Sequence, residues 1–121
     1  GKLDVLETYQ NGLFHGPYRK YFENGTLQIE QTYINGAMQG FSLAYHENGK
    51  LKEKVTIVNN EENGPFTEYY ENGKILAEGT YRPYDGEALE DGELKEYDEN
   101  GELIRVADCK RGVCLTKWKK E

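Results

Sequence analysis

Most of the residues that catalytic or membrane-spanning chains rely on are scarce in this sequence. Its 121 residues include one serine (Ser42), two histidines (His15 and His46), two cysteines, three prolines, one methionine and one tryptophan. No stretch approaches the roughly 18 consecutive apolar residues that cross a bilayer, which argues against a transmembrane helix. Ser42 has no Gly-x-Ser-x-Gly context, so a hydroxyl nucleophile lacks support. The two histidines lie at different phases of the chain's pattern, His15 in a turn segment and His46 just after a tyrosine, which argues against a triad or a histidine metal cluster. Large aliphatic and phenylalanine side chains are also few. Leu, Ile, Val and Phe account for 25 of 121 residues, and with a net charge of -7 this composition borders on that of disordered chains. Ten regularly placed tyrosines supply the missing apolar surface. A tyrosine buries a large ring area while its hydroxyl stays near water.

The charge is uneven. Residues 1–104 hold 9 basic and 20 acidic side chains, whereas residues 105–121 hold 6 basic and 2 acidic. Phosphate neutralisation needs clustered Lys and Arg, so the body of the chain is not expected to bind nucleic acid. A C-terminal patch of Lys110, Arg111, Lys117, Lys119 and Lys120 could touch an anion; the plainer reading is a solvated run that protects a sheet edge.

Self-similarity is the strongest signal. Glu-Asn-Gly occurs at Glu23-Asn24-Gly25, Glu47-Asn48-Gly49, Glu71-Asn72-Gly73 and Glu99-Asn100-Gly101, with glycine offsets of 24, 24 and 28. A tyrosine stands two residues before each Glu (Tyr21, Tyr45, Tyr69, Tyr97), and a glycine five residues before that (Gly16, Gly40, Gly64, Gly92). Half a repeat away lie Asn11-Gly12, Asn35-Gly36 and Asn59-Asn60, the chemistry of type I′ hairpin turns. Between turns the chain alternates with period two, as in Leu51-x-Glu53-x-Val55-x-Ile57 and Ile75-x-Ala77-x-Gly79-x-Tyr81. The expected fold is all-β: an elongated, single-layer antiparallel meander of about ten strands built from tandem β-hairpins, roughly 45 Å long. One repeat domain spans 1–121, with units at about 5–28, 29–52, 53–76 and 77–104 and a degenerate cap at 105–121. The four extra residues of the fourth unit are expected to leave the sheet as a loop within Pro83–Asp91.

Asn11-Gly12 followed by Gly16-Pro17-Tyr18-Arg19-Lys20-Tyr21-Phe22-Glu23-Asn24-Gly25, and again Gly64-Pro65-Phe66-Thr67-Glu68-Tyr69-Tyr70-Glu71-Asn72-Gly73, resembles the bacterial variant of MORN repeats over roughly residues 5–105. The resemblance implies a meander of hairpins used for protein contacts, self-association or membrane-proximal scaffolding, and an antitoxin-like role in a toxin–antitoxin pair. MORN proteins have also been linked to anionic lipids. This chain departs from that pattern because its repeat body is acidic where a lipid-binding surface should be basic.

Several residues invite chemistry. Cys109 and Cys114 flank a four-residue connection, so a disulfide across a hairpin is geometrically open to them. Two free thiols or a redox or metal pair are the alternatives, although zinc would lack ligands with two cysteines and no nearby histidine. A disulfide favours an oxidising compartment, so export to a periplasm or cell surface is expected over the cytoplasm. Glu23, Glu47, Glu71 and Glu99 recur with the turns, unlike the unique pair a glycosidase needs. Glu61 with Glu62, and Asp85, Glu87, Glu90 with Asp91, read as solvated charges, and the Asp85 segment lacks EF-hand ligand spacing. The ladder tyrosines are packing residues first, whereas Tyr84, in the insertion, is the better binding candidate. No cofactor is expected. The reading is a non-enzymatic scaffold that binds another protein or itself, with a surface module for glycans or anionic lipids as the alternative.

Overall fold

The computed structural model describes the backbone of residues 5, 6 and 9–121, and side chains from residue 11 onward. The described residues contain no helix. In chain order the strands are β1 (Val5–Leu6), β2 (Tyr9–Gln10), β3 (Leu13–Phe14), β4 (Gly16–Tyr21), β5 (Leu27–Ile34), β6 (Ala37–Tyr45), β7 (Leu51–Val58), β8 (Glu61–Tyr69), β9 (Ile75–Tyr84), β10 (Glu87–Glu90), β11 (Gly92–Tyr97), β12 (Leu103–Lys110) and β13 (Val113–Lys119). The main sheet runs β1-β4-β5-β6-β7-β8-β9-β11-β12-β13, with β10 paired to β9, and β2 and β3 form a separate ribbon. This is the antiparallel meander that the periodicity predicts.

Two turn designs alternate along it. The two-residue turns have both central residues at positive φ: Asn35 and Gly36 at 49° and 86°, and Asn59 and Asn60 at 48° and 70°. That geometry matches the right-handed twist of the strands it joins. The Glu-Asn-Gly turns close differently. In each, the glycine N–H donates to the carbonyl three residues back, as from Gly73 to Tyr70 at 2.9 Å; in the first three the Asn Oδ1 accepts from the backbone two residues on, as from Lys74 at 2.9 Å, whereas in the fourth the Asp98 carboxylate accepts from the Asn100 and Glu102 N–H groups. The same asparagines tie repeat to repeat, since Asn48 Nδ2 donates to the Glu71 carbonyl at 2.9 Å and Asn72 Nδ2 to that of Glu99 at 2.8 Å. Asn24 reaches Glu47 in the same way at 3.3 Å. An asparagine therefore serves its own turn with its oxygen and the next repeat with its nitrogen, which explains why it recurs.

The ladder tyrosines occupy one register position throughout. Tyr21, Tyr45, Tyr69 and Tyr97 pair with Leu27, Leu51, Ile75 and Leu103 beside each Glu-Asn-Gly turn, with the register shifting at every such pair. The recurring glycines mark a second irregularity, because pairing of β6 with β5 skips from Gln39 to Ser42 around Gly40, whose φ is 85°.

Cross-strand partners share a face of the sheet, so the ladder assigns every side chain to one side. Val55, Ile57, Phe66, Ala77, Leu94, Ala107 and Cys109, the buried hydrophobic residues, all point to one side, which we term the core face. Tyr81 stacks on Phe66 with ring centroids 4.2 Å apart, and Met38 and Cys114 pack against the same cluster. Among the described residues, nothing covers this core but its own side chains, which is why few residues are fully buried.

The insertion does not form the expected loop. It lengthens a hairpin: Tyr84, Pro83, Arg82 and Tyr81 of β9 pair with Glu87, Ala88, Leu89 and Glu90 of β10 around a two-residue turn at Asp85 (φ 50°) and Gly86 (φ 84°). Two extra residues on each arm preserve both the facing of the side chains and the turn, because the strand period is two. The C-terminal connection likewise keeps the repeat's turn, with Arg111 at φ 49° and Gly112 at φ 83°.

Candidate functional site

The two irregular segments of the sequence meet in space. The turn joining β12 and β13 docks on the lengthened β9–β10 hairpin: Gly112 N–H donates to the Glu90 carbonyl at 2.9 Å, and a Cβ added to Gly112 would stand 3.4 Å from Leu89 Cδ2. Tyr84, the binding candidate of the insertion, is half-buried at this junction. Its hydroxyl donates a short hydrogen bond to the Asp91 carboxylate, and the Arg111 guanidinium lies over its ring, 5.0 Å from the centroid. The hydrogen bond to Asp91 holds the Tyr84 phenol above its usual pKa range. Asp85 and Glu87 sit exposed at the hairpin tip.

Cys109 and Cys114 are direct cross-strand partners of β12 and β13, with Cα atoms 3.9 Å apart, and are joined as a disulfide. Closing so short a loop stabilises a fold by about 2 kcal/mol in the chain-entropy picture, enough to hold a terminal strand but not to determine the fold. Beside them Glu90 Oε2 lies 3.9 Å from Cys114 Sγ. Local pattern does not reveal this third group, because Glu90 is brought there by the docking of two hairpins.

The five C-terminal cations divide by role. Lys117 Nζ faces Asp108 at 3.5 Å and Glu93 at 3.6 Å, and Lys120 Nζ lies 2.7 Å from Glu102, so both hold β13 against acidic neighbours. Arg111 covers Tyr84, while Lys110 and Lys119 are exposed at opposite ends of the last hairpin. His46 Nε2 is 3.1 Å from the Tyr69 carbonyl, the place where Tyr70 in the next unit donates its hydroxyl to Tyr97 at 2.7 Å. His15 Nδ1 accepts from the Asn35 N–H at 3.2 Å. Both histidines thus serve contacts between repeats.

A carboxylate group also gathers on the core face. Glu53 and Glu68 are direct cross-strand partners, and Glu62 and Glu90 pair with Ile57 and Tyr81 on the same side. Burial, followed by the charges of these four glutamates, pushes the Tyr81 phenol up to about 12. Burial and then neighbouring carboxylates also raise Glu53 and Glu68. Their positions were legible in part, since Glu53 falls on the apolar phase of Leu51-x-Glu53-x-Val55.

The opposite, outer face is unusual for a sheet of this kind. Ile34, Phe41, Val58, Val113, Leu115 and Trp118 are large hydrophobic residues exposed among those described, and alternation along the strands places all six there; Leu13, also exposed, belongs to the separate β2–β3 ribbon. Lys54 Nζ sits 4.1 Å above the Phe41 ring, and Arg19 pairs with Glu30 at 2.6 Å beside it. A shallow depression of about 430 Å³ opens between Arg19, Ile34, Phe41 and Leu43.

Residues 14–35, 42–59, 62–82 and 90–107, more than half of the chain, match the family model described as MORN repeat variant. No curated protein matches. Among solved structures, the one titled "Crystal Structure of TarM" aligns with 93% of this chain and 21% of that chain, at 11% identity and a TM-score of 0.53. At that identity the likeness shows the fold alone, and this chain spans about a fifth of the TarM chain.

Proposed function

Since the chain belongs to the MORN repeat variant family, we propose that it is a non-enzymatic interaction scaffold that binds another protein, or a second copy of itself, through its outer face. The observation that supports this reading is the segregation of apolar side chains. A one-layer sheet packed on one side ordinarily presents polar residues on the other, and single exposed hydrophobic residues carry no message. Here six of the seven large exposed ones share the outer face, from Ile34 to Trp118. Apolar groups on a face rimmed by charge are what protein partners cover. An antitoxin-like role is the narrower form of the same reading, with a toxin as the partner protein.

The test is a double substitution, Phe41→Lys with Leu115→Lys. Both residues are exposed, so the change should leave the circular dichroism spectrum and melting behaviour nearly unaltered. Self-association in light scattering, or cross-linking to the native partner, should be lost. A chain that stays monomeric and cross-links to nothing under native conditions, or binding indifferent to the double substitution, would count against the proposal.

A further inference from the structure

We propose that Glu90, Cys109 and Cys114 form a redox-gated site for a thiophilic divalent cation such as zinc or cadmium, closed by the disulfide and opened by a dithiol reductant. The ligand atoms of the three side chains all lie within 4.8 Å of one another. Their placement does not depend on the sulfur–sulfur bond: the cysteines are held opposite each other by the β12–β13 ladder, and Glu90 by the backbone bond from Gly112. Two thiolates and a carboxylate suit a borderline-soft cation, and three protein ligands leave the fourth tetrahedral position to water. Zinc–sulfur bonds of about 2.3 Å set tetrahedral sulfurs about 3.8 Å apart.

The chemistry balances in two steps. A dithiol delivers two electrons and two protons to the Cys109–Cys114 bond, yielding two thiols and its own disulfide. The cation then displaces both thiol protons and takes the Glu90 carboxylate as its third ligand, releasing two protons to solvent. The site lies on the core face, which also carries the carboxylates of Glu53, Glu62 and Glu68.

The experiment uses the full chain, reduced with a phosphine, desalted without oxygen and titrated with cadmium ion, the readout being thiolate-to-cadmium charge-transfer absorption in the ultraviolet. One cadmium per reduced chain is expected, and none for the oxidised chain. Cys114→Ser should abolish the absorption, and Glu90→Gln should weaken binding by at least about tenfold. Circular dichroism of the reduced, metal-free chain should retain the β spectrum. Cadmium binding to the reduced chain no tighter than to Cys114→Ser, an unchanged affinity in Glu90→Gln, or loss of the β fold on reduction would each overturn the proposal.

Discussion

At the scale of single residues, Gly79 shows how a thin sheet makes a core. Its φ is ordinary, and its role is one of space: an added Cβ would lie 2.9 Å from two ring carbons of Phe66 and 3.1 Å from Leu94. Phe66 is 3% exposed and stacked against Tyr81, so its ring has nowhere to move. Gly79→Ala gains about 0.5–1 kcal/mol by stiffening the unfolded chain, and overpacking costs about 1–3 kcal/mol. The clash should win, lowering the urea midpoint with an unchanged slope; a midpoint that stays or rises would refute this packing.

The glutamates of the core face make a second residue-scale prediction. Glu53 and Glu68 are raised above the ordinary carboxylate value of 4.5, first by burial and then by neighbouring negative charge. The folded chain therefore binds more protons than the unfolded chain, and stability rises as pH falls from neutral toward about 4.5, where the unfolded groups also protonate. Asp98 acts oppositely, since backbone N–H groups of Glu102 and Asn100 lower it, but its contribution is lost only below its ordinary 3.8. Thermal midpoints should thus increase on mild acidification, and Glu53→Gln with Glu68→Gln should flatten the rise. Midpoints that fall steadily from pH 7 to 5 would contradict this account.

At the scale of the element, the lengthened hairpin obeys the strand period. Deleting Pro83, Tyr84, Glu87 and Ala88 removes two cross-strand pairs and leaves Arg82 and Leu89, already partners, to flank the Asp85-Gly86 turn. Hydrogen-bonded and non-hydrogen-bonded pairs alternate along the ladder, so the same kind of pair closes the turn. That variant should fold and melt cooperatively, roughly 4 °C lower, having lost about 1 kcal/mol of contacts around Tyr84. Removing only Pro83 and Ala88 inverts the closing pair and the facing of Tyr84, so it should cost more; equal melting temperatures would show that the register is unimportant. The sequence announced the four extra residues but not their form. Their even division between the arms depends on pairing between strands, and a count along one chain does not reveal it.

At the scale of the whole molecule, stability is spread unevenly along the sheet. The buried hydrophobic residues run from Val55 to Cys109, whereas no side chain described in β4 or β5 is fully buried. In a quasi-linear array each strand relies on its neighbours, so opening should begin where burial is least. Amide hydrogen exchange is expected to be slowest in β7–β12 and fastest toward β4 and β5. Uniform protection across the sheet would show instead a single cooperative unit.

Taken alone, the sequence determined the architecture. Turn residues at fixed offsets, with period-two alternation between them, admit only a meander of hairpins, and each such signal is local: Asn35-Gly36 dictates positive φ wherever it occurs, and Val55 and Ile57 must share a side. The tertiary structure alone decided which distant residues meet. Glu53 faces Glu68, Glu90 stands beside Cys109 and Cys114, and Arg111 covers Tyr84 because register shifts and docking between hairpins bring together positions 15 to 27 residues apart. Those shifts depend on bulges such as that at Gly40 and on how one turn seats against the next hairpin, which no single strand encodes.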